Sequence, residues 1–255
     1  MPSLFSSGKP QPTAMVEPVP TVFPPIAGAD IAAVFVGNRV AGDFYDSIRV
    51  SPQRVLIGLL DVAGRRQDNR SILIATQHIF RTAGVELFSK PDINESDAMT
   101  ELNLRLNRGL IEAATGVRSC PAFIACYHEV FGTLCYTNAG HTPALVRDST
   151  GIAELGSTGL PLGLFSHATA DSRIVGLEKG AALLLVSRGV VTCEGRSNGS
   201  SEEDFGLARV RGLLQNATLT SAKDLCSTIL NSVNDFGGDL PLCDDRTALA
   251  MIRTA

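Results

Sequence analysis

No cluster of lysine or arginine residues occurs in this sequence of 255 residues, whose formal net charge is -4 at pH 7. Proteins that bind nucleic acid usually carry a basic surface, and those that bind acidic membranes carry a basic amphipathic segment. Long apolar runs are lacking as well, since Ala181–Val186 is among the longest and a membrane-spanning helix needs about 20 apolar residues. Neither nucleic-acid binding nor insertion into a membrane is therefore expected.

Signals of secretion and of zinc binding are also missing. The first residues lack a basic start followed by an apolar stretch, which would mark a secretory signal, so a cytoplasmic location is expected. There is no Cys-x-x-Cys pair and no histidine at the spacing of a zinc site. We expect the six cysteines to be reduced thiols, most of them buried in apolar elements. They are Cys120, Cys126, Cys135, Cys193, Cys226 and Cys243.

The composition is that of a globular protein, with 44% hydrophobic and 19% charged residues. A chain of this length can form one domain with a sizeable core. Prolines are concentrated before residue 28, and proline fixes φ and removes a backbone donor. The sequence therefore predicts a proline-rich tail or linker over residues 1–28 and one domain over residues 29–255.

Hydrophobic periodicity predicts an α+β domain with many hairpin-linked strands and helices in pairs. The predicted strands are 31–36, 44–50, 54–62, 122–128, 133–137, 144–147, 173–177, 182–186 and 247–253, and the predicted helices are 69–88, 96–114, 206–214 and 221–236. This order favours a four-layer α-β-β-α sandwich, in which two antiparallel sheets are flanked by helices.

Three acidic side chains lie at the ends of predicted strands, far apart in the sequence. Asp43 begins one strand, Asp61 ends a wholly apolar strand, and Asp244 precedes the last strand. An ionised carboxylate at the end of a buried strand is costly without a partner, and several that converge require a cation. Oxygen ligands suit Mg²⁺ or Mn²⁺. Any one of these aspartates, taken alone, is more often a turn former or helix cap.

The order of short motifs along the chain resembles the PPM-type metal-dependent protein serine/threonine phosphatases, in the bacterial branch like sporulation stage II protein E. The motifs that carry the resemblance are Val40–Asp46, Asp61–Gly64, Asn138–Pro143, Gly159–Gly163, Leu183–Val190, Glu203–Gly206 and Asp244–Thr247. They cover nearly all of the predicted domain, and a set of this kind in order is far more specific than any one motif.

The resemblance implies two metal ions, Mn²⁺ or Mg²⁺, which activate a water for attack on phosphoserine or phosphothreonine. It implies that Asp61 bridges the metals, with the Val62 carbonyl beside it. Asp43 matches a ligand near the second metal, and Asp244 matches the last ligand of the first metal. Asp245 is a less suitable substitute, because neighbours on a strand face opposite ways. Asp43, Asp61 and Asp244 would thus form the catalytic centre, acting on a phosphoprotein of the anti-sigma-factor-antagonist type.

One departure from the family pattern concerns the first metal. The family has a Ser/Thr-Asp-Gly motif after an apolar strand, and this sequence has Ser187-Arg188-Gly189. A ligand of charge -1 is replaced by a side chain of charge +1, and a unit charge pair at 4 Å is worth about 4 kcal/mol at an effective dielectric near 20. We therefore expect one metal ion or none.

Three arrangements of Arg188 are open from the sequence. It fills the vacated position and pairs with Asp61 and Asp244, or it grips the substrate phosphate beside one remaining metal, or it extends to solvent. The first arrangement predicts a non-catalytic pseudophosphatase that binds a phosphoprotein, and the second predicts an active phosphatase. The sequence does not identify the partner or the oligomeric state.

Overall fold

The computed structural model describes residues 18–37, 42–62, 64, 66–114, 116, 118–167, 170–195 and 203–255. Two antiparallel sheets of five strands each make up its centre. The elements in chain order are β1 (Ala29–Val36), β2 (Gly42–Ser51), β3 (Arg54–Val62), α1 (Arg66–Phe88), α2 (Glu95–Ala113), β4 (Ala122–His128), β5 (Thr133–Ala139), β6 (Ala144–Asp148), β7 (Gly151–Leu155), β8 (Arg173–Gly176), β9 (Ala182–Val186), α3 (Arg188–Val191), β10 (Glu194–Gly195), β11 (Glu203–Asp204), α4 (Gly206–Asn216), α5 (Ala222–Gly237) and β12 (Arg246–Arg253).

We call the two large sheets sheet A and sheet B. Sheet A has the strand order β1-β12-β9-β6-β7, and sheet B has the order β2-β3-β4-β5-β8. Strands β10 and β11 form a separate two-stranded ribbon. Helices α1 and α2 cover the outer face of sheet B, while α4 and α5 cover sheet A. The predicted α-β-β-α sandwich is therefore confirmed.

Strand β3 illustrates why the sequence forms two cores on the two faces of one sheet. All nine of its residues are buried, and successive side chains of a strand point to opposite faces. Val55, Ile57 and Leu59 pack between the sheets. Leu56 and Leu60 pack under α1 and α2. A strand covered on both faces therefore reads as a continuous apolar run.

Residues 18–28, which we call the strap, lie against sheet B and α1. The backbone N–H of Val19 donates to Gln77 Oε1 at 2.7 Å, and Gln77 Nε2 donates to the Val19 carbonyl at 2.8 Å. Phe23 stacks on Tyr45 with ring centroids 6.1 Å apart. This part of the predicted tail is extended but packs on the domain, because residues between the prolines keep their donors and every residue keeps its carbonyl. Residues 1–17 lie outside the described residues.

The two sheets meet at one end of the sandwich, where four strand ends converge. Antiparallel pairing sets the start of β2 beside the end of β3. It likewise sets the start of β12 beside the end of β9. Ser187 N–H donates to the Thr247 carbonyl at 2.9 Å just past the last pair of that ladder. The four motifs that contain Asp43, Asp61, Arg188 and Asp244 therefore come together at this end. Among the described helices, none is both long and apolar enough to cross a bilayer.

Candidate metal centre

Asp43 and Asp61 form a directly opposed pair on adjacent strands of sheet B. The register pairs Asp43 with Asp61 and Tyr45 with Leu59. Since Tyr45 and Leu59 pack between the sheets and side chains alternate, the two carboxylates also face the space between the sheets. They are 8% and 4% exposed, respectively. Two opposed carboxylates this deeply buried repel each other unless a cation or a proton compensates them.

Sheet A supplies the other half of the cluster. Asp244 and Asp245 immediately precede β12, and Arg188 immediately follows Ser187 at the end of β9. The hydroxyl of Thr247 donates to Asp43 Oδ2 at 2.6 Å, which joins the two sheets across the site. Hydrogen bonds between sheets are not encoded by spacing within either strand, and the sequence therefore gave no sign of Thr247 as a partner of Asp43.

The side chain of Arg188 extends into this cluster. Its Nη2 lies 2.9 Å from Asp244 Oδ2, and its Nε lies 3.6 Å from Asp61 Oδ2. The guanidinium therefore holds together the two carboxylates that the resemblance assigns to the first metal. The Arg188 side chain is 59% exposed and that of Asp61 is 5% exposed, so this ion pair joins a largely exposed guanidinium to a buried carboxylate.

The protonation of the two buried carboxylates follows from their surroundings. Burial raises the pKa of Asp43 to about 8, and the charges of Asp61 and Asp244 act in the same direction. Burial also raises the pKa of Asp61, whereas the charge of Arg188 opposes that shift. Arg188 thus compensates the negative charge of Asp61 but not that of Asp43.

The remaining predicted ligands have different surroundings. The Val62 carbonyl accepts a hydrogen bond from Asn69 Nδ2 at 3.1 Å, which orients it at the start of α1. Asp245 is 1% exposed, compared with 18% for the Asp244 side chain. Its charge raises the pKa of Asp61, so it also belongs to the cluster. Residues 40, 41 and 63, which belong to the motifs, lie outside the described residues.

Oxygen atoms suited to a hard cation are available near Asp43, whereas the guanidinium of Arg188 lies beside Asp244. The Oδ1 atom of Asp43 is buried and has no hydrogen-bond partner in the described part of the chain. Asp43, Asp61 and the Val62 carbonyl present the oxygen atoms that Mg²⁺ or Mn²⁺ prefers. On the side of Asp244 the guanidinium occupies the position of a cation. Among the described residues, no three His, Cys, Asp or Glu side chains are placed to hold a metal ion.

His141 stabilises a loop at the same end of sheet B. Its backbone N–H donates to Asn138 Oδ1 at 2.8 Å, and its Nδ1 lies 3.0 Å from the Thr142 carbonyl. Burial lowers its pKa to about 4, so the ring is neutral near pH 7. These bonds hold the Asn-Ala-Gly-His turn of residues 138–141 in place.

Comparison with known proteins identifies the family. The family model described as Stage II sporulation protein E (SpoIIE) matches residues 51–254. The chain belongs to this family. SpoIIE-type domains are PP2C-like phosphatase domains, and the PP2C family is metal-dependent. The predicted resemblance is thereby confirmed, and the chain is a PP2C-like phosphatase domain related to the RsbU, RsbP and SpoIIE regulators.

Individual relatives agree with this assignment. The SpoIIE-type chain is 25% identical over 155 residues to phosphoserine phosphatase RsbP of Bacillus subtilis (strain 168), a match that covers 60% of this chain and 37% of RsbP. The RsbU and RsbW domains of Rv1364c from Mycobacterium tuberculosis superpose with a TM-score of 0.71 at 24% identity, over 89% of this chain and 60% of that one. The SiaA PP2C domain of Pseudomonas aeruginosa gives 0.73 at 17% identity, over 88% and 85%. Both structural matches support the fold.

Proposed function

We propose that this chain is a SpoIIE-type domain that binds a phosphoserine signalling protein of the anti-sigma-factor-antagonist type, and that Arg188 suppresses hydrolysis. The observation that carries the proposal is the contact of one guanidinium with both Asp61 and Asp244. A cation belonging to the protein thus stands where the family is expected to place a metal. The domain would act as a pseudophosphatase.

Charge and chemistry explain why this exchange would suppress hydrolysis. A bound metal lowers the pKa of water, orients it and stabilises the charge that develops on the phosphoryl group. A guanidinium can neutralise carboxylates and bind phosphate oxygens, but it cannot generate a hydroxide. A domain with Arg188 at this position can therefore still bind the phosphate, but it cannot activate the water that attacks it. Asp61 and Asp244 position the guanidinium in this arrangement.

The class of partner is supported by the relatives. RsbP is named a phosphoserine phosphatase, and Rv1364c carries an RsbU domain together with an RsbW domain. The chain spans 37% of RsbP and 60% of the Rv1364c chain, so the partner is proposed for this domain and not taken from either whole protein. A phosphoserine protein is the partner that these names and the family motifs favour.

A second candidate function is a phosphatase that works with one metal ion. It is favoured by the buried Oδ1 atom of Asp43, which lacks a hydrogen-bond partner among the described residues. A single Mn²⁺ or Mg²⁺ held by Asp43, Asp61 and the Val62 carbonyl would leave Arg188 to bind the phosphate of the substrate. Guanidinium groups bind phosphate oxygens with two parallel hydrogen bonds.

The two candidates are separated by metal titrations and turnover of an aryl phosphate for wild type, Arg188→Asp and Arg188→Ala. In the pseudophosphatase, Arg188→Asp restores a carboxylate and should raise Mn²⁺ affinity at least about a hundredfold, with turnover rising from background. Arg188→Ala removes the competing cation without adding a ligand and should give a smaller rise. Asp61→Asn is the control, which should abolish any metal-dependent turnover.

Other results would change the conclusion. If wild type already turns over with one equivalent of Mn²⁺, and Arg188→Ala raises KM while leaving metal affinity intact, the one-metal phosphatase is the correct function. Two tight Mn²⁺ sites in wild type, measured by calorimetry, would show that Arg188 does not take the place of a metal. Unchanged affinity and turnover in both variants would show that Arg188 plays no part in the centre.

A further inference from the structure

The loop of residues 159–165, which we call the rim loop, is held firmly at the same end of sheet B as the carboxylates. Cys120 and Leu162 exchange two backbone hydrogen bonds, at 2.9 and 3.0 Å. Gly163 N–H donates to Asn107 Oδ1 at 2.8 Å, and Asn107 Nδ2 donates to the Phe165 carbonyl at 2.9 Å. The position of the loop is therefore fixed by α2 and by the segment that leads into β4.

This well-anchored loop nevertheless exposes two large apolar side chains. Leu160 is 53% exposed and Phe165 is 58% exposed. Ile111 is 37% exposed one helical turn after Asn107, on the face of α2 that holds the loop. Single exposed apolar residues are ordinary, but a fixed group of them beside a catalytic cleft is typical of a surface that contacts another protein.

Arg118 lies between the rim loop and the carboxylate centre. Its carbonyl lies against Gly163, and its Nη1 approaches Gly64, two residues after Val62. Gly64 has φ 107°, and a Cβ built there would lie 3.5 Å from that Nη1. The side chain therefore runs from the rim loop toward the turn that follows Asp61.

The guanidinium of Arg118 makes no ion pair or hydrogen bond with any described residue. Its Nε atom is buried and lacks a hydrogen-bond partner within the described ranges. A partly buried cationic group is costly to leave uncompensated, and such groups are usually paired. An anionic group from outside the chain would supply the missing partner.

The distances suit a short extended segment of a protein. Sheet B places β5, whose last residue Ala139 bridges to Gly159, two strands away from β3 and Asp61. Neighbouring strands are about 4.8 Å apart, so the rim loop lies roughly 10 Å from Asp61 along the edge of the sheet. An extended peptide covers that distance in about three residues.

We propose that Arg118, Leu160 and Phe165 form the docking surface for the segment of the partner protein that carries the phosphoserine. Arg118 pairs with an acidic side chain next to the phosphoserine, and Leu160 and Phe165 contact an apolar side chain about three residues from it. The choice of a phosphoprotein as the occupant rests on the proposed function. The acidic residue follows from the uncompensated charge of Arg118, which selects against a basic segment.

The test uses fluorescein-labelled phosphoserine peptides and measures binding by fluorescence anisotropy. A parent peptide carries aspartate next to the phosphoserine and leucine three residues away, on either side in two versions. Matched peptides replace the aspartate by lysine, the leucine by alanine, or the phosphoserine by serine. Wild type should bind the parent about tenfold more tightly than the lysine peptide, since attraction to Arg118 is exchanged for repulsion.

Variants then assign the preference to individual residues. Arg118→Glu should reverse it in favour of the lysine peptide, and Arg118→Gln should abolish it without reversal, in case the charge reversal prevents folding. Phe165→Ser should remove the advantage of leucine over alanine and leave the charge preference unchanged. Lys223→Glu, on an exposed position of α5 under the other sheet, is the control and should change neither preference.

The outcomes separate this inference from the proposed function. Equal binding of the aspartate and lysine peptides by wild type, or an unchanged preference in Arg118→Glu and Arg118→Gln, would overturn the docking surface alone. A serine peptide that binds as tightly as its phosphorylated twin would leave the surface in place and overturn the proposed phosphoserine recognition. If no peptide bound at all, both would fail, while the Arg188 titrations would still report on the metal centre.

Discussion

At the scale of single residues, Asp43 is a carboxyl group whose own surroundings oppose its ionisation. It is buried opposite Asp61, and the guanidinium of Arg188 contacts Asp61 and Asp244 instead of Asp43. The Thr247 hydroxyl donates one hydrogen bond to Asp43 Oδ2. The hydroxyls of Ser187 and Thr247 act to lower the pKa of Asp43, but burial outweighs them and raises it to about 8. Near pH 7, Asp43 is therefore protonated and neutral in most of the protein molecules unless a cation binds beside it.

Asp43→Asn should stabilise the metal-free protein at high pH. A carboxyl whose pKa is about 8 in the folded state and near 3.9 when unfolded binds a proton more tightly when folded. Its contribution is present below about pH 4 and is lost as the pH rises through about 8. In buffer with a chelator, we expect the melting temperature of Asp43→Asn to exceed that of wild type by at least about 2–4 °C at pH 8.5, and by much less at pH 5.

The matched control for this experiment is Asp46→Asn, on the same strand but facing α1. Asp46 is fully buried and receives two hydrogen bonds from Arg81, at 2.7 and 3.0 Å. Breaking this pair should lower the melting temperature at both pH values. If Asp43→Asn lowers stability equally at pH 5 and pH 8.5, Asp43 is ionised throughout and the centre retains a compensating charge.

The residues of the candidate centre were predicted unequally well from the sequence. Motif order indicated Asp43, Asp61, Asp244 and Arg188, because each follows or precedes a recognisable strand. The direction of the Arg188 side chain remained open, since a long flexible side chain at a strand end can reach several partners.

At the scale of elements, the strap is the segment whose structure is least evident from its composition: it is rich in proline, yet it packs on the domain. The Thr21 hydroxyl donates to the Tyr45 carbonyl at 2.7 Å and lies 3.1 Å from Asp46 Oδ1. Gln77 binds the strap backbone at Val19 and also donates to Asp46 Oδ2 at 3.2 Å. Gln77 therefore both holds the strap and joins α1 to β2.

Removal of residues 1–28 should destabilise the domain relative to removal of residues 1–17. The difference isolates the strap, whose hydrogen bonds contribute about 0.5–1.5 kcal/mol each and whose aromatic stacking contributes a similar amount. We expect the melting temperature to fall by roughly 5 °C or more. Thr21→Val should reproduce part of the loss, whereas Val22→Thr, at a side chain that is 78% exposed, should not. Equal melting temperatures for the two truncations would show that the strap does not stabilise the domain.

Most strands and helices were predicted because their apolar periodicity is strong. Helix α5 buries a stripe of Leu225, Ile229 and Val233, and the Asn94 side chain caps α2. The short elements β7, α3, β10 and β11 were not predicted. Strand β7 has two exposed residues at its centre, and β10 and β11 have two residues each, so hydrogen bonds to neighbours, and not periodicity, define them.

At the scale of the whole molecule, three apolar cores separate the four layers, and most cysteines belong to them. All six cysteines are free, and Cys243 alone among them is exposed. Burial raises the pKa of Cys135 and of Cys226 to about 12, and it raises the pKa values of Cys120, Cys126 and Cys193 as well. Thiols that are both buried and protonated react slowly.

A thiol reagent such as DTNB should therefore modify one thiol per chain rapidly in the native protein and six in 6 M guanidinium chloride. Cys243→Ser should eliminate the rapid phase, because the other five thiols react only when the domain opens. Cys226→Ser, in the core under α5, should leave the rapid phase unchanged. Two or more rapid thiols in native wild type would contradict the packing described here.

The hydrogen bond between Thr247 and Asp43 also has a mechanical consequence. Asp43 and Asp61 belong to sheet B, whereas Arg188, Asp244 and Thr247 belong to sheet A or its ends. At 2.6 Å, this hydroxyl–carboxylate bond is near the short end of a range that extends to about 3.0 Å. Sliding one sheet along the other would stretch this bond while every ladder within each sheet stayed intact. A load that shears the sandwich would thus raise the pKa of Asp43 further, because the Thr247 hydrogen bond acts to lower it.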